Sequence, residues 1–245
     1  MDDRTHHGGR LDMELLARSL VSSRSQGESF VRMGRVTVNG VPAKKSGQLV
    51  AGSDDINILG EERYVSRAAF KLASVAEAFK LDFRGTTVLD VCSSTGGFTQ
   101  YALRRGAQKV IAVDVGTDQL HSSLRSDERI ELHEKTDIRD LRTDQAIDIV
   151  VADVSFISLR EILPSVVRLC GPATRLAVMV KPQFEASNSH LKHKGVIKND
   201  KMRRDILRDF ENWAKDYFII LNKADSEVAG SKGNLERFYL LKKLS

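Results

Sequence analysis

Apolar residues recur at two different spacings along this chain. Leu11, Leu15, Leu16 and Leu20 keep helical spacing, and Ser22 to Ser25 break it. A second short helix is predicted over Gln26 to Met33, carrying Phe30 and Val31. Gly34-Arg35 then turns into Val36-Thr37-Val38-Asn39-Gly40-Val41, where alternation ending in Asn-Gly predicts a tight hairpin. Leu49-Val50 and Ile56-Asn57-Ile58 read as further short strands. Residues 10–58 therefore form a small α/β unit. Gly60-Glu61-Glu62-Arg63-Tyr64 is a polar joint, too short for a free linker. This predicts two domains, residues 1–60 and 61–245.

Beyond the joint the pattern alternates. A helix is expected from Ser66, with Ser66 as N-cap and Ala69, Leu72, Ala73, Val75 and Ala76 as its buried stripe. Strands are predicted at Thr87 to Val91, Lys109 to Val113, Ile130 to Leu132, Ile147 to Ala152, Leu176 to Val180, Tyr217 to Leu221 and Arg237 to Leu241. Helices are predicted at Gly97 to Arg105, Gln119 to Arg125, Leu159 to Cys170 and Lys201 to Lys215. Regular βα alternation implies an α/β fold with a parallel, doubly wound sheet. No helix separates the last two strands, so the final strand should run antiparallel to its neighbours.

Composition narrows the picture. A 245-residue chain with 41% apolar residues can bury one large core plus an appendage. The net charge of +5 suits a polyanionic partner. Residues 1–60 hold eight Lys/Arg against seven Asp/Glu, a net of +1. An RNA-binding role there rests on clustering of Arg24, Arg32, Arg35, Lys44 and Lys45. Two cysteines, Cys92 and Cys170, allow no CxxC metal pair and read as reduced thiols of a cytoplasmic protein. Met1-Asp2-Asp3-Arg4 opens without an apolar run, so no signal peptide is expected, and no stretch approaches ~18 consecutive apolar residues.

The first long strand ends in Asp90-Val91-Cys92-Ser93-Ser94-Thr95-Gly96-Gly97-Phe98, a small-residue turn into a helix. Such a turn lets a nucleotide-like cofactor approach the backbone. Asp114 closes the next strand, 24 residues after Asp90, where an acid can accept both ribose hydroxyls. Asp137 is either a contact to an adenine amino group or a loop-capping carboxylate. A pyrophosphate wants a glycine-rich helix start. The missing glycines therefore favour S-adenosylmethionine over a dinucleotide.

Asp153 and Lys181 follow the fourth and fifth strands, at the carboxyl edge where open parallel sheets bind ligands. Glu236 begins the last strand and reaches the same edge if that strand is antiparallel. Lys71 lies one turn into the helix that enters the sheet. His190 and His193 have HxxH spacing but lack a third ligand for zinc, so no metal is expected.

Two resemblances then emerge. Arg10-Leu11-Asp12 and Gly34-Arg35-Val36-Thr37-Val38-Asn39-Gly40 resemble the S4 RNA-binding domain. Ser66-Arg67-Ala68-Ala69-Phe70-Lys71-Leu72, Ser93-Ser94-Thr95-Gly96-Gly97-Phe98-Thr99, Ala152-Asp153-Val154-Ser155-Phe156-Ile157-Ser158-Leu159, Lys181-Pro182-Gln183-Phe184-Glu185 and Gly233-Asn234-Leu235-Glu236 resemble the TlyA family. That family joins an S4 domain to an FtsJ-like methyltransferase domain. The resemblance implies a Rossmann-like class I methyltransferase sheet, S-adenosylmethionine as cofactor and ribosomal RNA or ribosomal subunits as partner. It implies methylation of a cytidine 2′-oxygen, with Lys71, Asp153, Lys181 and Glu236 as the catalytic tetrad. Its pattern has glycine where this chain has Cys92, and a side chain there crowds the cofactor's methionine end. Two other readings stay open: a non-catalytic RNA-binding or ribosome-assembly factor, and a membrane-lytic protein, since the family is also labelled haemolysin.

Overall fold

The computed structural model describes residues 8–21, 24–32, 34–59, 64–186, 195–197, 199–228, 230 and 233–244. The opening Met1-Asp2-Asp3-Arg4, the break at Ser22, Met33, the joint from Gly60 to Arg63, His190 and His193 lie outside the described residues. The chain divides into two compact units, residues 1–63 and 64–245.

The first unit runs β1 (Gly9–Arg10), α1 (Leu11–Ala17), α2 (Arg24–Arg32), β2 (Val36–Val38), β3 (Val41–Pro42), β4 (Leu49–Val50) and β5 (Ile56–Ile58). β2 is central, antiparallel to both β3 and β5. Asn39 and Gly40 turn β2 into β3 with φ of 50° and 77°, the two left-handed positions of a two-residue hairpin. The pairing of β1 with β4 escapes the pattern, because two-residue strands carry no periodicity. α1 is shorter than its leucines suggest. The helix ends at Ala17; Leu11 and Leu15 are buried, whereas Leu16 and Leu20 are each 38% exposed. α2 starts earlier than expected, at Arg24, whose Nε donates to the buried Asp12 of α1 at 2.8 Å.

The second unit runs α3 (Ala68–Ala76), β6 (Thr87–Val91), α4 (Gly97–Arg104), β7 (Lys109–Val113), β8 (Ile130–His133), β9 (Ile149–Ala152), α5 (Leu159–Leu169), β10 (Arg175–Val180), α6 (Pro182–Glu185), α7 (Asp200–Ala214), β11 (Phe218–Asp225) and β12 (Arg237–Lys243). Its sheet has the order β11-β12-β10-β9-β6-β7-β8. Strands β6 to β10 are mutually parallel. β12 is antiparallel to β10, as its missing crossover helix predicts. Leu163 and Val166 of α5 and Leu207 and Phe210 of α7 pack on Leu89, Val150, Val178 and Tyr239 of the sheet. Strands covered on both faces read as continuous apolar runs, as in Leu-Ala-Val-Met-Val of β10.

Three local expectations change. Ser66 does not cap α3, which begins at Ala68 with no side-chain cap. Gln119 to Arg125 forms only a 3-10 turn at Ser122–Leu124, capped by the His121 side chain. β11 runs on to Asp225, which shortens the connection to β12 to residues 226–236.

Candidate active site

Side chains alternate across a strand, so Leu89 and Val91 enter the core shared with α5 and α7 while Asp90 faces the other way. Asp90 is 1% exposed and accepts a 2.6 Å bond from Thr99 Oγ1 of α4. Burial pushes its carboxyl up to about 7. The turn after β6 is tied to the end of β7: the Cys92 and Ser93 amides donate to Val113 O at 2.9 and 3.1 Å. The Ser94 amide donates to Asp114 Oδ2 at 2.8 Å, and the Gly116 amide to Asp114 Oδ1 at 2.7 Å.

Backbone conformation explains the small residues of this turn. Gly96 has φ 88°, and a Cβ there would lie 2.6 Å from Leu120 and Leu124; one on Gly97 would lie 2.3 Å from Ser66 Oγ. Cys92 has φ 63°, a left-handed geometry that costs an L side chain about 1–2 kcal/mol. That is the physical reason for expecting glycine there. Burial, aided by Asp114, Asp90 and Asp153, pushes its thiol up to about 12.

The topology brings four distant charges together. Asp153 and Lys181 follow β9 and β10, which are parallel neighbours, so both stand at one sheet edge. Glu236 precedes β12, whose Arg237 pairs with Val180 in the antiparallel register, and so lies beside them. Lys71, from α3, donates to Glu236 Oε2 at 2.6 Å. Lys181 Nζ lies 2.5 Å from Asp153 Oδ1 and donates to Ser155 Oγ at 2.6 Å. Burial pushes the Glu236 carboxyl up, against the pull of Lys71.

All four charges line one cavity of about 470 Å³, together with Asp90, the turn from Cys92 to Thr95 and Phe98. Gly96, Gly97, Asp114 and Asp137 do not line it. Asp137 instead accepts from the Arg139 amide at 2.9 Å and pairs with its guanidinium, the geometry of a loop-capping carboxylate. Three buried polar atoms of the cavity have no partner among the described residues: Ser66 Oγ, Ser93 Oγ and Gln183 Oε1. Buried polar atoms are normally hydrogen-bonded, so the volume and these open positions fit a polar organic ligand. Among the described residues no cluster suits a metal ion.

Further residues escape the polarity pattern. Phe156 is 91% exposed, has φ 69°, and lies 5.4 Å from the Phe184 ring at the cavity. Glu185, 1% exposed, accepts from Ser158 Oγ at 2.6 Å and the Leu159 amide at 2.8 Å. It thereby ties the segment after β9 to α6.

In the first unit, Arg24 is engaged by Asp12, and Arg35 Nε donates to Leu59 O at 2.9 Å. Arg32, Lys44 and Lys45 are exposed.

The strand order with its antiparallel β12, and a charged cavity beside the β6 turn, define a methyltransferase fold. An S-adenosylmethionine-dependent methyltransferase from Mesorhizobium loti shares it (TM-score 0.51, 13% identity, 71% of this chain, 100% of that one). The FtsJ-like methyltransferase family model matches residues 64–243, and the S4 domain model matches residues 9–56. The 16S/23S rRNA (cytidine-2′-O)-methyltransferase TlyA of Mycobacterium tuberculosis (strain CDC 1551 / Oshkosh) is 37% identical over 240 residues, covering 95% of this chain and 89% of that protein. A structure from Streptococcus thermophilus, described provisionally as a hemolysin, has a TM-score of 0.72 at 31% identity, covering 98% of this chain and 90% of that one. The chain belongs to the TlyA family, in which an S4 domain is joined to an FtsJ-like methyltransferase domain. Among the described residues no helix is long and apolar enough to cross a membrane.

Proposed function

We propose that this protein is a cytoplasmic, S-adenosylmethionine-dependent methyltransferase acting on a cytidine 2′-oxygen of ribosomal RNA. The observation that carries this reading is the convergence of two lysine–carboxylate pairs in one cavity beside the small-residue turn. Ser93, Ser94, Thr95 and Phe98 hold the cofactor, while Asp90 lines its end of the cavity. Asp114 braces the turn through the Ser94 amide. When bound, S-adenosylmethionine supplies an electrophilic methyl group on a sulfonium.

The chain's own residues supply the rest. A ribose hydroxyl is a weak nucleophile and must lose its proton as it attacks. Lys181 has three donor directions. Asp153 and Ser155 occupy two, leaving one that Lys181 donates to the 2′-oxygen; the hydroxyl proton leaves to water during attack, and the ammonium stabilises the negative charge that develops on the oxygen. Lys71 of α3 and Glu236 ahead of β12 neutralise each other and position the ribose. Phe156, exposed at the cavity, offers a face on which the target base stacks. The pairing of two cations with two anions keeps the cost of burying them tolerable. In the first unit, Arg32, Lys44 and Lys45 bind phosphates, and Arg24 and Arg35 add to them.

The test is transfer of labelled methyl from S-adenosylmethionine to ribosomal RNA, with mapping of 2′-O-methylated cytidines. Cofactor binding with no transfer to any ribosomal RNA would leave the non-catalytic RNA-binding reading standing.

A further inference from the structure

Gln183 is the second residue of α6, directly after the Lys181-Pro182 step. It lines the active-site cavity, and its Oε1 is buried with no partner among the described residues. An unpaired buried amide oxygen costs about 1–3 kcal/mol. A ligand group that enters the cavity would remove that cost.

The sheet tells which ligand this is. The cofactor turn follows β6, and β10, which leads to Gln183, is two strands away in the order β10-β9-β6. At about 4.8 Å per strand, the two ends are about 10 Å apart. Gln183 therefore belongs to the half of the cavity that carries Lys181 and Asp153. The Phe156–Phe184 pair lies in that same half, with the Phe184 ring 5.9 Å from Lys181 Nζ. A flat aromatic face beside a carboxamide with one acceptor and two donors matches a nucleobase, which offers a π-face and a hydrogen-bonding edge.

We infer that Gln183 reads the Watson–Crick edge of the target base and is a specificity-determining residue of this enzyme. Its Oε1 accepts from the N4 amino group of cytosine, and its Nε2 donates to N3. A base without that amino group leaves Oε1 buried and unpaired, so it is rejected. The inference rests on the reading of the site as a cytidine methyltransferase.

The experiment compares wild type with Gln183→Leu in single-turnover methyl transfer to ribosomal RNA. The second substrate is the same RNA fragment with pyrimidin-2-one, which lacks the amino group, at the methylated position. The expected result is a loss of about 10- to 100-fold for Gln183→Leu on the natural RNA. Wild type should lose a similar factor on the modified RNA, and the variant little more on it. S-adenosylmethionine affinity by calorimetry should be unchanged. Gln183→Asn, which keeps the amide one methylene short, should behave like Gln183→Leu and guards against a folding defect. Full activity of both variants, or losses from variant and modified base that simply multiply, overturns the inference. Weakened cofactor affinity also overturns it, because Gln183 would then serve the other half of the cavity. Wild type inactive on every ribosomal RNA fails the underlying reading instead, and is recognised by the absence of any rate to compare.

Discussion

Asp12 in the first unit and Asp153 in the second both hold cations, yet the cations end in opposite surroundings. Arg10 and Arg24 reach the fully buried Asp12 from the surface and stay 48% and 50% exposed. Lys181 and Lys71 are 9% and 11% exposed, each held against its carboxylate. Hydrogen bonding from Arg10, with help from Arg24, lowers the Asp12 carboxyl to about 2, so it is charged at neutral pH. Burial instead raises Glu236. A guanidinium anchored at one end but wet at the other can also meet a phosphate. An ammonium enclosed in a cavity can act only on what enters that cavity. On the proposed function, the first kind of cation suits attraction of a polyanion and the second suits action on one oxygen of it.

Lys181→Ala should break the contrast most sharply. Single-turnover methyl transfer should fall about 10²–10⁴-fold while cofactor affinity barely moves. The double variant with Asp153→Ala should be little slower, since the pair acts as a unit. Near-normal turnover by Lys181→Ala would remove the catalytic half of the comparison.

Replacing Arg32, Lys44 and Lys45 together by Ala tests the other half. Filter binding of ribosomal RNA over a salt series should show weaker affinity, with the slope of log K against log salt reduced by about 2–3. The rate at saturating RNA should persist. An unchanged slope would mean that these cations do not touch phosphate.

Asp90→Asn sharpens the electrostatic side. The wild-type carboxyl is raised from near 3.8 to about 7 in the folded state, so folding takes up a proton between those values. Its stabilising contribution is complete below about 3.8 and is lost as pH rises toward about 7. The melting temperature of wild type relative to Asp90→Asn should therefore rise as pH falls from 7 toward 4. A pH-independent difference would mean that Asp90 is ionised throughout.

Cys92→Gly should have the smallest effect. Relief of the left-handed side chain, about 1–2 kcal/mol, is partly offset by glycine's entropy, about 0.5–1 kcal/mol. Melting temperature should rise by a few degrees at most, with cofactor affinity equal or tighter. A marked loss of affinity would show that the thiol is itself a contact.

Long, strongly patterned elements are legible in the sequence. β6 and β7 have the ends their apolar runs predict, and Asp153 and Lys181 fall after β9 and β10 because buried parallel strands end abruptly in polar residues. Glu236 is reachable only through the inference that β12 is antiparallel. Some short elements are legible, as β4 and β5 are, and others are not. α6 has four residues, too few for a period, and the Ser-Ser at 122–123 prefers a turn to the helix its neighbours suggest. Asp137 follows β8 as the sequence suggests, and its pairing with Arg139 two residues on is a local contact that no periodicity encodes.

The βα alternation, the small residues at the start of α4 and the charged residues at element ends are written into the chain locally. These follow from local sterics and from the burial of apolar faces, which depend on near neighbours. Which charges meet depends on the packed fold. Lys71 and Glu236 are 165 residues apart, and no periodicity encodes their 2.6 Å contact. The same holds for Phe156, left exposed beside Phe184, and for the unpaired oxygen of Gln183. Pairing, exposure and hydrogen-bond vacancy belong to the packed sheet edge, because each depends on what the rest of the chain brings to that edge.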